Sequence, residues 1–205
     1  MILLSGCAIT PTDMPPPITD EAPAPVTGEA PANSDSAGDP TETIVILHTN
    51  DFHGAVEPEG SQGSGGTSEE GGLVNMVSLI DQLRDEHPGR TLLLDAGDTF
   101  QGTYVSNSSE GELVMDAMNL AGYDAWTLGN HEFDWGQEPL KARITQAGFP
   151  ALAANIVDET TGKPWDVVQP YTIVEARRIK VGILGLTNPD TPVNNRPENV
   201  AGLDF

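Results

Sequence analysis

The chain has 205 residues and a formal net charge of −22, because 31 Asp and Glu residues face only nine Lys and Arg residues. This balance excludes a protein that binds a nucleic-acid polymer, since such binding needs clustered Lys and Arg side chains along the phosphate backbone. The single cysteine, Cys7, excludes an internal disulfide and a cysteine-rich zinc site. The apolar runs are shorter than the roughly 18 residues of a membrane-spanning helix, so no such helix is predicted.

The first 42 residues differ in composition from the rest of the chain. Residues 1–7 end in LLSGC, which resembles a bacterial lipobox, where the cysteine is lipidated; the alternative is a chance match at a frayed terminus. No basic region precedes it, so we expect 1–7 to be a truncated signal segment. Residues 8–42 hold eight prolines and no Lys or Arg, which predicts a disordered tether. We expect 43–205 to be the folded domain.

From residue 43 onwards, strand patterns and helix patterns alternate. Residues 57–72 are rich in Gly, Ser and Glu and predict a surface loop. Predicted strands are the apolar, β-branched runs Thr43–Thr49, Thr91–Leu94, Ala125–Leu128, Ala151–Ile156, Tyr171–Glu175 and Ile179–Leu186. Predicted helices are Leu73–Glu86, Gln137–Ala147 and one between them that starts at a Ser109–Glu112 capping box and turns Leu113, Val114, Ala117, Met118 and Ala121 inward. The alternation favours a layered α/β fold with catalytic groups at the carboxyl ends of strands.

Polar side chains follow the first two predicted strands. The sequence NDFHG places Asp51 and His53 two residues apart, and in extended backbone both could reach one Zn²⁺, Mn²⁺ or Fe ion. The alternative for this pair is a solvated turn. In DAGDTFQG, Asp98 stands between glycines with two carboxylate oxygens, which would allow it to bridge two cations. The alternative for Asp98 is a helix cap.

The third cluster, GNHEFDWG, follows the strand at 125–128. Asn130 offers a neutral amide oxygen as a metal ligand, and His131 is placed to act on a substrate. Asp134, three residues later, could hold the imidazole in one orientation and tautomer. Each residue alone could be a cap or a partly buried polar group. Three such clusters, each after an apolar strand and beside glycine, favour one shared site.

The motifs NDFHG, GDTFQG and GNHEFDWG resemble those of the 5′-nucleotidase family of calcineurin-like metallophosphoesterases, and the resemblance extends through LAAN at 152–155 and VGILGLT at 181–187. It implies a layered, metallophosphoesterase-type α/β sandwich and two divalent ions, Zn, Mn or similar. Asp51, His53 and Asp98 would hold the first ion, and Asp98 and Asn130 the second. His131 would protonate the leaving oxygen or stabilise the phosphate, with Asp134 as its orienting partner. The implied function is hydrolysis of nucleotide phosphate esters in nucleotide salvage, by an exported protein whose membrane contact is a lipid on Cys7.

The chain departs from the family pattern in its histidines. The resemblance implies two later histidines that complete the second metal site, but none follows His131. Of the others, we expect His48 to pack behind the site and His87 to lie at an exposed helix end. We therefore expect an N-terminal part of a longer enzyme, truncated before the last strands. A 2′,3′-cyclic nucleotide phosphodiesterase, an inactive lipid-anchored fragment and a halophilic origin of the acidity remain alternatives.

Overall fold

A computed structural model describes residues 2–4, 43–58 and 71–205, the first of these as backbone only. Cys7, the predicted tether at 8–42 and residues 59–70 of the predicted surface loop lie outside the described residues. Among the helices that are described, none is both long and apolar enough to span a bilayer.

The described residues form ten strands and five α-helices. The strands are β1 (Ile2–Leu4), β2 (Val45–Thr49), β3 (Thr91–Asp95), β4 (Ala125–Thr127), β5 (Ala151–Leu152), β6 (Val157–Asp158), β7 (Lys163–Pro164), β8 (Tyr171–Ala176), β9 (Ile179–Gly185) and β10 (Leu203–Asp204). The helices are α1 (Gly72–Glu86), α2 (Tyr104–Ser108), α3 (Glu112–Ala121), α4 (Gln137–Gln146) and α5 (Thr191–Asn194).

A parallel four-stranded sheet in the order β2-β3-β4-β5 is the centre of the fold. Helices connect its successive strands: α1 joins β2 to β3, α2 and α3 join β3 to β4, and α4 joins β4 to β5. Parallel strands linked in this way all end at the same edge of the sheet. The loops that follow β2, β3 and β4 therefore meet, and these loops carry the three polar clusters.

The central sheet has an apolar core on each face. Towards the helices, Leu93 and Trp126 pack with buried residues of α3, among them Val114 and Met118. On the opposite face, alternate strand residues pack against a second sheet of order β1-β9-β8, in which β8 and β9 are antiparallel and β1 is parallel to β9. Helices, parallel sheet and mixed sheet form three layers, which confirms the predicted layered α/β class.

The start of α3 differs from the prediction. The N-cap of α3 is Gly111, with no side-chain cap, so the predicted capping box is wrong. The Ser109 hydroxyl donates instead to the carbonyls of Val105 and Ser106, where it closes α2, a short helix that was not predicted. Leu113 was predicted to face the core but is exposed, whereas the next residue, Val114, is buried.

The strand predicted at 151–156 pairs with β4 only over Ala151–Leu152. The next two amides leave this ladder: Ala153 donates to the Gln169 carbonyl, and Ala154 donates to the Gly185 carbonyl. Apolar residues continue beyond Leu152, but their backbone bonds tie the central sheet to the loops around β8 and β9. A small sheet of order β10-β6-β7, which the sequence did not predict, follows this departure.

Candidate active site

The loop after β2 turns sharply at the residues predicted to bind metal. Asp51 and His53 have φ angles of 51° and 50°, so the extended backbone assumed from the sequence is wrong for this pair. Non-glycine residues rarely adopt positive φ, and such strain concentrates at functional sites. Asp98 is a third case, with φ 56°. Three of the five non-glycine residues with positive φ in the described chain are therefore predicted metal ligands.

The His53 ring is fixed by a backbone carbonyl. Its Nδ1 lies 2.6 Å from the Gln101 carbonyl oxygen, which can only accept a hydrogen bond, so Nδ1 carries the proton. The lone pair then lies on Nε2, which is 3.9 Å from Asp51 Oδ1. A carbonyl behind the imidazole is the arrangement that orients histidine ligands for metal. Asp51 remains largely exposed beside it.

Asp98 does not cap the following helix, since Thr103 caps α2. Its Oδ1 instead accepts the backbone N–H of His131 at 2.9 Å, which joins the loop after β3 to the loop after β4. The two loops approach so closely that only glycine fits between them. A Cβ on Gly129 would overlap Asp98 Oδ1, and a Cβ on Gly97 would overlap the Gly129 backbone.

Two buried carboxylates, neither singled out from the sequence, bind the backbone around Asp98. Glu132 accepts the N–H groups of Asp98 at 2.9 Å, Thr99 at 2.7 Å and Gly129 at 2.6 Å. Burial, followed by the charge of Asp98, raises the pKa of Glu132 to about 8, against the effect of these donors. The signal in the sequence was a glutamate within the motif GNHEFDWG, but the sequence alone did not show that the Glu132 side chain points inward.

Asp95 supports the same loop from its other side. Its carboxylate accepts the Thr49 hydroxyl at 2.5 Å, the Thr99 hydroxyl at 2.6 Å and the Gly97 N–H at 2.9 Å. Burial raises the pKa of Asp95 to about 6, although these hydrogen bonds act to lower it. The loop that carries Asp98 is thus held between two buried acids.

His131 and Asp134 form a hydrogen-bonded pair. His131 Nδ1 lies 2.7 Å from Asp134 Oδ2, so the predicted partners are in contact. Burial lowers the pKa of the His131 imidazole, but the hydrogen bond and charge of Asp134, with the charges of Asp98 and Glu132, outweigh it and raise the pKa above 6.5. Nε2 is the ring nitrogen left to face the site.

The three loops bring one candidate metal cluster together. His53, Asp98 and His131 each offer a ligand atom, and these atoms all lie within 4.8 Å of one another. The His53 and His131 rings meet edge-on, with centroids 5.0 Å apart. The His53 imidazole and the Asp98 carboxylate, with the Asp51 carboxylate 3.9 Å from His53 Nε2, form a donor set that suits Zn²⁺, Mn²⁺ or Fe, so the residues present fit a divalent ion without His131 as a ligand.

The remaining predicted site residues lie around this cluster. Asp51 contacts it through His53, and half-buried Asn130 adjoins it through the His131 backbone. His48, expected behind the site, is exposed on the edge strand β2. His87 is half-buried and forms the C-cap of α1 rather than an exposed end.

This fold and this donor set define an α/β protein with a candidate divalent-cation site where the loops after parallel strands meet. The model of the calcineurin-like phosphoesterase family matches residues 44–179, and the chain belongs to that family. Similar proteins include the 5′-nucleotidase of Vibrio cholerae (41% identity over 82% of this chain) and the snake venom 5′-nucleotidase of Gloydius brevicauda (40% over 75%). The chain spans 29% and 27% of their respective lengths.

Solved structures agree with these relatives. The 5′-nucleotidase precursor from Thermus thermophilus aligns with a TM-score of 0.66 and 36% identity, over 77% of this chain and 31% of its own. The NAD nucleotidase of Haemophilus influenzae aligns with a TM-score of 0.66 and 28% identity, over 79% of this chain and 29% of its own. The chain thus aligns with less than a third of each of these two structures.

Proposed function

We propose that this chain carries the metal-binding and proton-donating part of a phosphomonoesterase that hydrolyses 5′-nucleotides. The observation that carries the proposal is the meeting of His53, Asp98 and the His131–Asp134 pair at one edge of the parallel sheet. The similarity to 5′-nucleotidases gives the substrate class, and the same similarity suggests a role in nucleotide salvage.

Two divalent ions are proposed as cofactors. Asp51, His53 and Asp98 would hold the first ion, and Asp98 and Asn130 would hold the second. When bound, the ions supply positive charge that polarises a phosphate ester. They also reverse the local sign of the field, which lets an acidic protein receive an anionic substrate.

His131 is proposed as the proton donor rather than as a metal ligand. Its pKa is raised above 6.5 by Asp134 and neighbouring acids, which favours the imidazolium. In that form Nδ1–H donates to Asp134 Oδ2, and Nε2–H is free to donate to a phosphate or leaving-group oxygen. The hydrogen bond between His131 Nδ1 and Asp134 Oδ2, which leaves Nε2 to face the site, supports this role.

The test is phosphate release by the 205-residue chain in Mn²⁺. We expect release from 5′-AMP, with 2′,3′-cyclic AMP and bis-para-nitrophenyl phosphate as diester comparisons. His131→Ala should retain Mn²⁺ but lose about 100-fold or more of the rate, whereas His87→Ala, far from the three loops in sequence, should not change it. No release by the wild-type chain, or equal rates for His131→Ala and wild type, would contradict the proposal. Release from the diesters alone would favour the phosphodiesterase.

Export and lipid anchoring at Cys7 form a separate proposal, supported by the LLSGC sequence and the acidic tether after it. Lipid processing would remove residues 1–6, and with them strand β1, which pairs with β9. Metabolic labelling with palmitate in a bacterium that expresses the protein, with Cys7→Ser as the control, tests the proposal. Equal labelling of the two chains would contradict it.

A further inference from the structure

The segment that follows β9 binds the loop that carries His131. We call residues 188–199 the asparagine strap. Asn195 Nδ2 donates to the main-chain carbonyl of Asn130 at 2.9 Å, and Asn199 Nδ2 donates to the carbonyl of Asp134 at 2.8 Å. Asn130 and Asp134 stand at the two ends of the 3-10 turn His131–Phe133. The strap therefore holds both ends of the turn that presents the histidine.

The amide of Asn195 has only one orientation that satisfies its surroundings. Its Nδ2 faces two carbonyl oxygens, those of Asn130 at 2.9 Å and Thr191 at 3.3 Å. Its Oδ1 is buried and has no hydrogen-bond partner among the described residues. A flipped amide would place this oxygen against two acceptors, so the donation to Asn130 defines the side chain's position.

The strap is itself anchored and stiff. At its root, Asn155 forms two hydrogen bonds with the backbone of Thr187, of 2.8 and 2.9 Å. Prolines at 189, 192 and 197 restrict the backbone beyond this point. A segment with a restricted backbone has little conformational entropy to lose. Its hydrogen bonds can therefore hold the neighbouring loop in place.

The chemistry of the donors suits a cation site. Both strap contacts use neutral amides, which fix backbone carbonyls without adding positive charge beside the proposed ligands. A lysine or arginine in the same place would repel a divalent ion. Neutral donors therefore favour a role for the strap in positioning the loop over direct recognition of an anionic substrate.

We propose that Asn195 is a positioning residue for the metal ligand Asn130, and that Asn199 secures the other end of the same turn. The inference rests on the proposed function, because it gives Asn130 a ligand's role. Neither asparagine touches the metal cluster of His53, Asp98 and His131 in any contact of the described residues. Their effect is through the Asn130–Asp134 backbone, and second-layer partners of this kind change metal affinity about 10-fold or more.

The test measures Co²⁺ binding by the 205-residue chain, through its visible absorption, for wild type, Asn195→Ala and Asn195→Asp. Asn194→Ala is the matched control, since Asn194 is the exposed neighbour on the strap. We expect about 10-fold weaker binding and an altered Co²⁺ spectrum for both Asn195 variants, measured at a temperature where circular dichroism shows each variant to be folded. Asn195→Asp has the same volume but cannot donate, so weaker binding despite its added negative charge would identify the hydrogen bond as the cause.

Wild-type Co²⁺ affinity and spectrum in Asn195→Ala, or tighter binding by Asn195→Asp, would overturn the inference. Amide hydrogen exchange separates this failure from failure of the proposed function. The Phe133 N–H donates to the Asn130 carbonyl, so its exchange should accelerate in Asn195→Ala and stay unchanged in Asn194→Ala, with or without metal. Absence of Co²⁺ binding by wild type would count against the proposed metal site, while unchanged Phe133 exchange would refute the strap.

Discussion

Glu132 Oε1 accepts the backbone N–H of Thr99 at 2.7 Å, although the two residues lie on loops that follow different strands. The second oxygen, Oε2, accepts the N–H groups of Asp98 and Gly129. One buried side chain thus satisfies three backbone donors from the two loops that supply Asp98 and His131. Such donors would otherwise be buried without partners, and each orphaned N–H costs about 1–3 kcal/mol.

The first prediction follows from this arrangement. Above pH 8, where Glu132 is ionised, Glu132→Gln replaces one acceptor oxygen with an amide nitrogen, which cannot accept, so at least one buried N–H loses its partner. We expect the free energy of unfolding in urea to fall by about 1–3 kcal/mol. Glu138→Gln is the control, because Glu138 is exposed and pairs only with Lys141 on the surface. Equal stability of Glu132→Gln and wild type would show that the three hydrogen bonds are not needed.

Gly129→Ala tests the close approach of the two loops. A Cβ at this position would overlap both Asp98 Oδ1 and the Asp98 backbone nitrogen, so the loop that carries the carboxylate must shift. We expect Mn²⁺ affinity, measured by calorimetry, to fall about 10-fold or more. Gly182→Ala provides the control, since a Cβ there meets nothing within 4 Å. Unchanged Mn²⁺ affinity in Gly129→Ala would mean that Asp98 does not bind the ion in this position.

The sequence predicted the layers of this fold because strand and helix periods alternate along most of the described chain. It also predicted which loops carry chemistry, since parallel strands end at one edge. It could not predict the direction of Glu132, which lies within a motif whose other polar residues are half-buried. Nor could it reveal Asn195, because a contact to Asn130 across 65 residues leaves no local pattern.

Asp134→Asn tests the cause of the raised pKa of His131. Removal of the Asp134 charge leaves burial, which lowers the pKa, less strongly opposed, so the His131 pKa should fall. The pair stabilises the folded chain below the pKa of histidine in the unfolded chain, and this contribution is lost as pH rises through the folded value. An NMR titration of the metal-free chain measures the shift, with exposed Asp166→Asn as the control. An unchanged His131 pKa in Asp134→Asn would assign the shift to Asp98 and Glu132 instead.

The last prediction concerns Asp95 and the pH dependence of stability. Burial raises its pKa from 3.8 to about 6, so between these values the folded chain binds a proton that the unfolded chain releases. The contribution of Asp95 to the free energy of unfolding should therefore fall as pH rises from about 4 to 6, by about 3 kcal/mol at most. Urea unfolding of the metal-free chain at pH 4 and pH 6, with Asp95→Asn for comparison, isolates the contribution of Asp95 to the free energy of unfolding. Relative to Asp95→Asn, wild type should lose stability across the interval, whereas exposed Asp85→Asn should track wild type. If wild type instead gains stability relative to Asp95→Asn, the three hydrogen bonds from Thr49, Thr99 and Gly97 outweigh burial, and Asp95 is ionised throughout.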